Sequence, residues 1–310
     1  MSYQSQYYKA PGKLLITGEY LILEGAEGLA LPLKQGQDLT VIKTEIQNRQ
    51  LVWEAFSPEG LWFSATFALP SFTIINTSDK AFAQRLTGIL KAAQQLNQNF
   101  PAPGSYEVKT VLDFNPEFGF GSSSTLIANV ARWAKADTFE LQNLTFNGSG
   151  YDVAVALEAK PIIYSLKQKK PVYHPVVFNP AFANNLYFVY LGKKQRSLEE
   201  VKRFKEKALF SPADIDAITA ITREIVNCRS LQQFESLLKE HESILSGILK
   251  TPPVQQQLFT DYNAGIVKSL GAWGGDFVLV TSTKPVNEFK KEMNKFGFET
   301  VYGFNDIVSN

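Results

Sequence analysis

The chain has 310 residues, of which 45% are hydrophobic and 20% charged, as is typical of a soluble globular protein. A net charge of +1 gives no electrostatic reason to expect nucleic acid or an acidic membrane surface as a partner. The single cysteine excludes an internal disulfide and a cysteine-based zinc site. The two histidines offer few ligands for a histidine-based metal site. Because there is no apolar leader and no run of about 18 apolar residues, we expect a cytoplasmic protein with no membrane partner.

The first hundred residues are predicted to be rich in β-strands. Residues 7–17 have a strand pattern that Pro11 and Gly12 are expected to interrupt, because both residues weaken a strand. The spacing of apolar residues over 80–96 predicts an amphipathic helix. Further strands are predicted at 38–44, 51–56 and 61–68.

A strand, a glycine- and serine-rich loop and a helix are predicted to follow one another at 106–112, 118–124 and 125–134. The N–H groups and the dipole at a helix start attract anions, and Gly119 and Gly121 let the backbone approach a ligand closely. The loop therefore suits phosphate, and its hydroxyls can also coordinate Mg²⁺. The alternative is an ordinary turn with a serine N-cap, since the loop matches neither the P-loop nor the dinucleotide-binding pattern.

A second pair of glycines, in Gly148–Asp152, precedes an apolar helical turn. Asp152 is either an acid favoured by the helix dipole or a carboxylate that points into a site. Residues 137–147, between the two glycine segments, are predicted to be a short polar connection.

The second half is predicted to be α+β with long helices. A basic stretch, Lys193–Ser197, is either a solvated turn or part of a site. The composition changes from β-rich to helix-rich near 165–185. Strands are predicted at 161–166, 172–178, 185–191, 277–281 and 298–302, and helices at 198–209, 212–227, 231–249, 253–265 and 285–296.

Three glycine-containing motifs in a fixed order resemble those of the GHMP kinase superfamily. Ala10–Tyr20 is similar to the first motif, Gly119–Ser124 to the second, phosphate-binding motif, and Gly271–Asp276 to the third. Gly148–Asp152 matches the stretch that holds the catalytic aspartate in the mevalonate branch. The resemblance covers residues 7–282.

The resemblance implies an α+β, two-domain GHMP kinase fold. Residues 1–170 would form an ATP-binding domain like ribosomal S5 domain 2, and residues 171–310 a ferredoxin-like substrate domain. ATP and Mg²⁺ are the implied cofactors, and ATP would lie between the domains. A small-molecule acceptor is the implied partner, with the oligomeric state open between monomer and homodimer.

The resemblance also assigns roles to residues. Asp152 would accept the proton of the attacking hydroxyl, and Lys13 would offset charge on the transferring phosphate. Ser123 matches the serine that coordinates Mg²⁺. The residues implied to bind ATP phosphates are Gly119, Gly121, Ser122, Ser123 and Ser124. Those implied to bind or brace the substrate pocket are Glu19, Tyr20, Lys194, Arg196, Ser197, Gly274 and Gly275.

The sequence departs from the family pattern at three positions. Trp273 replaces a glycine of the third motif, which would narrow the site or alter its backbone. Tyr20 replaces the histidine usual in mevalonate kinases. Glu140 is the nearest acid to the place where the family commonly supplies a glutamate to Mg²⁺, but it is one residue out of register. The alternative metal ligands are Ser123, phosphates and water.

An ATP-dependent small-molecule kinase is therefore expected, acting on a hydroxyl or phosphate acceptor. Mevalonate and phosphomevalonate, both used in isoprenoid precursor synthesis, are the expected acceptors. Tyr20 and the cations at 194–196 favour phosphomevalonate, whereas the chain length suits mevalonate kinase at least as well. Two alternatives stay open: an enzyme like diphosphomevalonate decarboxylase, and a catalytically decayed nucleotide-binding protein.

Overall fold

A computed structural model describes residues 5–44, 48–146, 148–192, 197–271, 273 and 275–309. The chain forms two compact units, each made of separate stretches of sequence. The first unit comprises Met1–Gly12, Gln35–Pro116 and Phe120–Leu157, and the second comprises Lys13–Lys34, Glu117–Gly119 and Glu158–Asn310. The expected domain boundary between residues 170 and 171 stays a prediction.

The first unit contains a sheet with the strand order β5-β4-β3-β6-β2. Neighbouring strands are antiparallel, except that β3 and β6 run parallel. Strand β1 pairs with β2. The strands are β1 (Ser5–Leu15), β2 (Gly28–Thr44), β3 (Gln50–Ser57), β4 (Gly60–Ala68), β5 (Thr73–Thr77) and β6 (Ser105–Leu112).

Helices cover one face of this sheet. They are α1 (Lys80–Leu96), α2 (Ser122–Ala134), α3 (Thr138–Thr145) and α4 (Tyr151–Glu158). Alternate residues of β3, including Trp53, face the helices, as the two-residue period of a strand requires. Phe67 of β4 lies in the same core with Ile127 of α2 and Leu141 of α3. This core holds α2, α3 and α4, which carry the candidate site, against the sheet.

The second unit contains two sheets. Residues 28–30 of β2 pair with β7 (Ile162–Lys167), which pairs with β8 (Lys170–Pro175). The other sheet is antiparallel, in the order β10-β11-β9-β12. Its strands are β9 (Leu186–Tyr190), β10 (Val267–Ser269), β11 (Phe277–Thr281) and β12 (Val301–Gly303).

The second unit also contains helices, several of which contact this antiparallel sheet. The helices are α5 (Ser197–Lys207), α6 (Pro212–Asn227), α7 (Leu231–Leu249), α8 (Val254–Leu258), α9 (Val286–Lys295) and α10 (Phe304–Ile307). Strand β11 is buried along its whole length, and its Val278 packs with Val254 of α8 and Phe289 of α9. A strand covered in this way carries an apolar run, as Phe277–Val280 of β11 does. No helix within the described ranges is both long and apolar enough to span a bilayer.

The long helices confirm the sequence prediction at 80–96, 212–227 and 231–249. Each begins after a side chain that accepts a backbone N–H group: Asp79 for α1, Ser211 for α6 and Ser230 for α7. Ser211 and Asp214 form a reciprocal capping box. Such caps are encoded by neighbouring residues, so a local pattern is sufficient to predict them.

The predicted interruption of the first strand is wrong, because β1 is continuous through Pro11 and Gly12. Gly36 of β2 allows this pairing: a Cβ atom there would overlap the carbonyl oxygen of Ala10. A close approach between distant strands is not visible in a local pattern.

Two other stretches differ from the prediction. The polar connection at 137–147 contains α3, which Asp137 caps by accepting the Glu140 N–H group at 2.9 Å. The predicted helix at 253–265 ends as α8 at Leu258. Beyond it the Gln255 amide donates to the carbonyl oxygens of Tyr262 and Gly265, at 3.3 and 3.1 Å, in place of further helical bonds.

Replacement of Phe67 by alanine is expected to destabilise the protein by about 3–5 kcal/mol, because it leaves a cavity under the helices. The matched control is Leu61→Ala on the same strand, where the side chain is 54% exposed and the cost should stay within about 0.5 kcal/mol. Urea unfolding followed by circular dichroism gives both values. Equal losses would contradict the assigned core.

Candidate functional site

The start of α2 is the centre of the candidate site in the first unit. Gly121, the residue before the helix, has a left-handed φ of 92°, a conformation that glycine adopts without strain. Among the described residues, no side chain caps the helix. Its first N–H groups therefore point outward with the positive end of the helix dipole. This arrangement can bind an anion.

The three serines of the loop have different surroundings. Ser123 is exposed, Ser122 is half-buried and Ser124 is buried. The Ser124 hydroxyl donates to the carbonyl oxygen of Gly121 at 2.8 Å, so it stabilises the turn from within. Ser122 and Ser123 are consequently the hydroxyls best placed to meet a ligand.

Gln37, a residue that the sequence did not single out, fixes the start of α2 on the sheet. Its side-chain oxygen accepts from the Thr125 hydroxyl at 2.9 Å, and its carbonyl oxygen accepts from the Asn129 amide at 2.8 Å. All three residues are buried. Because β2 and α2 are far apart in sequence, no spacing rule indicated this contact.

Asp152 lies half-buried in the first turn of α4. Its Oδ1 atom accepts from the N–H of Val153 at 3.0 Å and from the amide of Gln142 at 3.5 Å. Gln142 is a buried residue of α3. Glu140 is exposed on the same helix, about 200° around the axis from Gln142, so the two side chains leave the helix on different faces.

Arg132 links the two helices that carry these residues. Its guanidinium donates to the carbonyl oxygens of Lys9 at 2.6 Å and Ala156 at 3.1 Å, joining α2 to β1 and α4. Burial lowers the pKa of Arg132 from its ordinary value. The first unit thus holds the start of α2 and Asp152 on a connected set of helices.

In the second unit, Lys13 of the first motif and Asp276 of the third motif both contact Gly119 of the second motif. The Lys13 ammonium donates to the Gly119 carbonyl oxygen at 3.0 Å. The Asp276 carboxylate packs so closely on the other side that a Cβ atom at position 119 would overlap it. Gly119 also has a positive φ of 66°, so position 119 requires glycine for two reasons.

Behind the first motif lies a cluster of four buried ionisable side chains: Glu19, His241, Glu242 and Lys268. The Lys268 ammonium donates to Glu19 Oε1 at 2.5 Å and lies 3.8 Å from Glu242 Oε1. His241 Nε2 accepts from the N–H of Gly18 at 3.1 Å. Glu19, which the sequence placed in the substrate pocket, is therefore engaged inside the protein.

The charges of this cluster follow from its burial. Burial raises the pKa of Glu19, an effect that Lys268 partly offsets. Burial likewise raises the pKa of Glu242 to about 8, against the opposing effect of Lys268. Burial, and then the Lys268 charge, hold the pKa of His241 well below its ordinary value, so this imidazole is neutral at pH 7. Near neutral pH, Glu242 therefore keeps its proton, while Glu19 makes the shorter contact with the Lys268 ammonium.

Tyr20 and Trp273, the two departures from the family motifs, are hydrogen-bonded to each other. The Tyr20 hydroxyl oxygen accepts from the backbone N–H of Trp273 at 2.8 Å. The indole N–H of Trp273 donates to the carbonyl oxygen of Pro252 at 3.3 Å, and the side chain is buried. Phe204 of α5 stacks on the Tyr20 ring with centroids 5.1 Å apart. Burial raises the pKa of Tyr20 to about 12.

The remaining predicted substrate residues are only partly described. Lys194, Arg196 and Gly274 lie outside the described residues, and of Ser197 only its place at the start of α5 is described. Gly275 is buried. Their roles stay predictions.

The Lys268→Met variant is expected to lose about 3–5 kcal/mol of stability, because it leaves the buried Glu19 side chain without its cationic partner. The control is Lys284→Met, which breaks a partly exposed pair with Glu292 and should cost about 1 kcal/mol or less. Chemical denaturation of both variants measures the difference. Similar losses would show that the buried cluster contributes no more than a surface pair.

The Glu242→Gln variant should remove part of the pH dependence of stability. Glu242 keeps its proton up to about pH 8 in the folded state but releases it near its ordinary pKa of 4.5 when unfolded. The unfolded state therefore binds fewer protons over this window, so wild-type stability falls as pH rises from about 4.5 to 8. Melting temperatures across this range should fall less steeply for the variant.

The control for this experiment is Glu240→Gln, an exposed position on the same helix. Its melting temperature should follow that of the wild type at every pH. If the melting temperature of Glu242→Gln also followed that of the wild type at every pH, Glu242 would not be the group that keeps a proton in the folded state.

Comparison with known proteins gives similarity in structure but not in sequence. No family model and no curated protein sequence matches the chain. A mevalonate kinase from Methanococcus jannaschii has a TM-score of 0.72 at 15% identity, over 96% of this chain and 97% of that one. A phosphomevalonate kinase from Streptococcus pneumoniae, solved with phosphomevalonate and AMPPNP, has a TM-score of 0.70 at 16% identity, over 96% and 99%.

A third similar structure is the galactokinase of Lactococcus lactis complexed with galactose. Its TM-score is 0.68 at 12% identity, over 99% of this chain and 93% of that one. At these identities the similarity establishes the fold. The prediction of an α+β fold of the GHMP kinase type is confirmed, and the chain has that fold over nearly its whole length.

Proposed function

We propose that the protein is an ATP-dependent kinase that transfers the γ-phosphoryl group to a hydroxyl or phosphate of a small molecule. The observation that carries this proposal is the uncapped start of α2, which follows two glycines with positive φ on a fold shared with small-molecule kinases. Its amide groups and dipole provide positive potential for phosphate oxygens. Phosphoryl transfer depends mainly on positioning and charge neutralisation of this kind.

The phosphates of ATP are proposed to rest on the glycine-serine loop. The backbone at Gly119 and Gly121 permits a close approach, and Ser122 and Ser123 offer hydroxyls beside it. Ser124 would support the turn through its bond to the Gly121 carbonyl oxygen. The phosphomevalonate kinase with a similar structure was solved with AMPPNP, which supports nucleotide use on this fold.

Mg²⁺ is the proposed metal, because it prefers oxygen ligands and keeps several of its waters. The exposed Ser123 hydroxyl offers such an oxygen, and Glu140 remains a second candidate on the exposed side of α3. Within the described ranges, no three His, Cys, Asp or Glu side chains are grouped to hold a metal ion, so phosphates and water would complete the shell. When bound, the ion supplies charge neutralisation at the transferring group.

Asp152 is proposed to orient the acceptor and take its proton. The hydrogen bonds from Val153 and Gln142 hold its Oδ1 atom and so fix the carboxylate at the start of α4. The acceptor oxygen would form a bond to the γ-phosphorus as the bond to the β-phosphate oxygen breaks. The proton of an acceptor hydroxyl would pass to Asp152, and ADP would leave.

Lys13 is proposed to offset the negative charge that develops during transfer. Its ammonium already lies at the beginning of the loop, where it donates to the Gly119 carbonyl oxygen. A fixed cation at this position lowers the energy of a transition state with charge spread over phosphoryl oxygens.

Mevalonate or phosphomevalonate is the proposed acceptor, which would place the protein in isoprenoid precursor synthesis. Two of the similar structures are a mevalonate kinase and a phosphomevalonate kinase, which supports this class of substrate. We further propose a cytoplasmic monomer or homodimer that requires no nucleic acid or membrane. The proposed substrate contacts are Lys194, Arg196, Ser197, Gly274 and Gly275.

The test is ADP release from Mg-ATP with mevalonate, phosphomevalonate, diphosphomevalonate, homoserine and galactose. Turnover with one acceptor identifies the substrate. Release of phosphate without a phosphorylated product would instead indicate a decarboxylase. ATP binding without turnover on any acceptor would contradict this substrate class and favour a decayed nucleotide-binding protein.

The Asp152→Asn variant is expected to bind ATP normally in calorimetry while its turnover falls by about 10²–10⁴-fold, because the proton acceptor is lost. The control Asp216→Asn makes the same change at an exposed position of α6 and should keep full turnover. Full activity in Asp152→Asn would remove this carboxylate from the mechanism.

A further inference from the structure

The first motif is connected to the third by hydrogen bonds from its side chains. The Tyr20 hydroxyl oxygen accepts from the N–H of Trp273 at 2.8 Å. Glu19, its neighbour, accepts from the ammonium of Lys268 in β10, the strand that precedes the third motif. Both acceptors are almost fully buried, at 1% exposure for Glu19 and 7% for Tyr20. Neither side chain has the exposure that direct contact with a diffusible substrate requires.

The same contacts extend behind Glu19 to the strand that leads into the third motif. Lys268 of β10 bonds Glu19 Oε1 and also the carbonyl oxygen of its neighbour Ser269, at 2.7 Å. The N–H of Ser269 donates to Glu242 on α7 at 3.4 Å. The strand is therefore fixed immediately before Gly271.

Tyr20 is itself held rigidly. It has a positive φ of 62°, which is uncommon for a residue with a side chain and is kept only where the surroundings enforce it. Phe204 stacks on its ring, and the N–H of Gly18 is bound by His241. The hydroxyl of Tyr20 is thereby placed at a fixed point, where it meets the N–H of Trp273.

A glycine-rich segment loses much conformational freedom when it is ordered, and its buried N–H groups require acceptors. Tyr20 provides the acceptor for the N–H group of Trp273 in the third motif. The length of the tyrosine side chain suits the distance to Trp273, so these two departures from the family pattern form one unit.

We propose that Tyr20 is a positioning residue that sets the backbone of the third motif at Trp273. It acts on the acceptor substrate through that backbone and does not touch it. The effect on catalysis rests on the proposed kinase function, whereas the ordering of the backbone does not.

The first test is amide hydrogen exchange at Trp273 in the wild type, in Tyr20→Phe and in Tyr187→Phe. The control loses a hydroxyl that donates to the Lys284 carbonyl oxygen at 3.0 Å in the same unit. Removal of the Tyr20 acceptor should speed exchange at Trp273 by about tenfold or more, while the control leaves it unchanged. Equal exchange in all three proteins would overturn the proposal for Tyr20.

Kinetic measurements give a further test of the positioning role of Tyr20 once an acceptor is known. Tyr20→Phe should raise KM for the acceptor by about tenfold while KM for ATP is unchanged, because only the third motif is disturbed. A general loss of structure would change KM for the acceptor and KM for ATP together. That outcome would overturn the proposed effect of Tyr20 on catalysis. If no acceptor is turned over by the wild type, the proposed function fails while the exchange experiments still decide the positioning role.

Discussion

The two glycine motifs that meet in the second unit depend on one buried ammonium group, that of Lys268. A cation without access to water is costly unless carboxylates surround it, and here Glu19 and Glu242 do so. Glu242 lies farther from the ammonium than Glu19 does, and with a pKa raised to about 8 it keeps its proton near neutral pH. A hydrophobic cluster of the same volume could be equally stable. It could not hold Glu19 and the Ser269 carbonyl oxygen at fixed points, and this directional constraint is what the ionic cluster adds.

The first unit poses a different problem, because a helix start leaves its first N–H groups without partners inside the helix. No side chain within the described residues caps α2, so its stability comes from elsewhere. Thr125 and Asn129 attach its first turns to Gln37, and Ile127 joins the hydrophobic core. These neutral hydrogen bonds are sufficient to attach the helix to the sheet. No cation is required at the helix start, because the helix dipole already supplies positive potential there. The free energy lost at the uncapped start of α2 is thus offset by packing one turn further along the helix.

The similar structures share the fold at 12–16% identity, which is understandable in physical terms. A fold requires a pattern of buried and exposed positions and a few special backbone conformations, and many sequences meet both requirements. Gly119 is such a position, because Lys13 and Asp276 approach it from two sides. Substrate choice depends instead on individual side chains.

The sequence by itself determined what neighbouring residues encode. It gave the long helices with their caps, the strand that leads to the glycine-serine loop, and Asp152 at the start of a helix, since each depends on contacts within a few residues. It missed α3, whose polar composition hides the burial of Leu141. Only the tertiary structure decided the partners of the motif residues. Lys268 pairs with Glu19 across 249 positions, and Gln37 supports a helix that begins far along the chain. A local sequence pattern does not predict such pairs. They form because the folded backbone brings distant side chains together and because buried polar groups require partners.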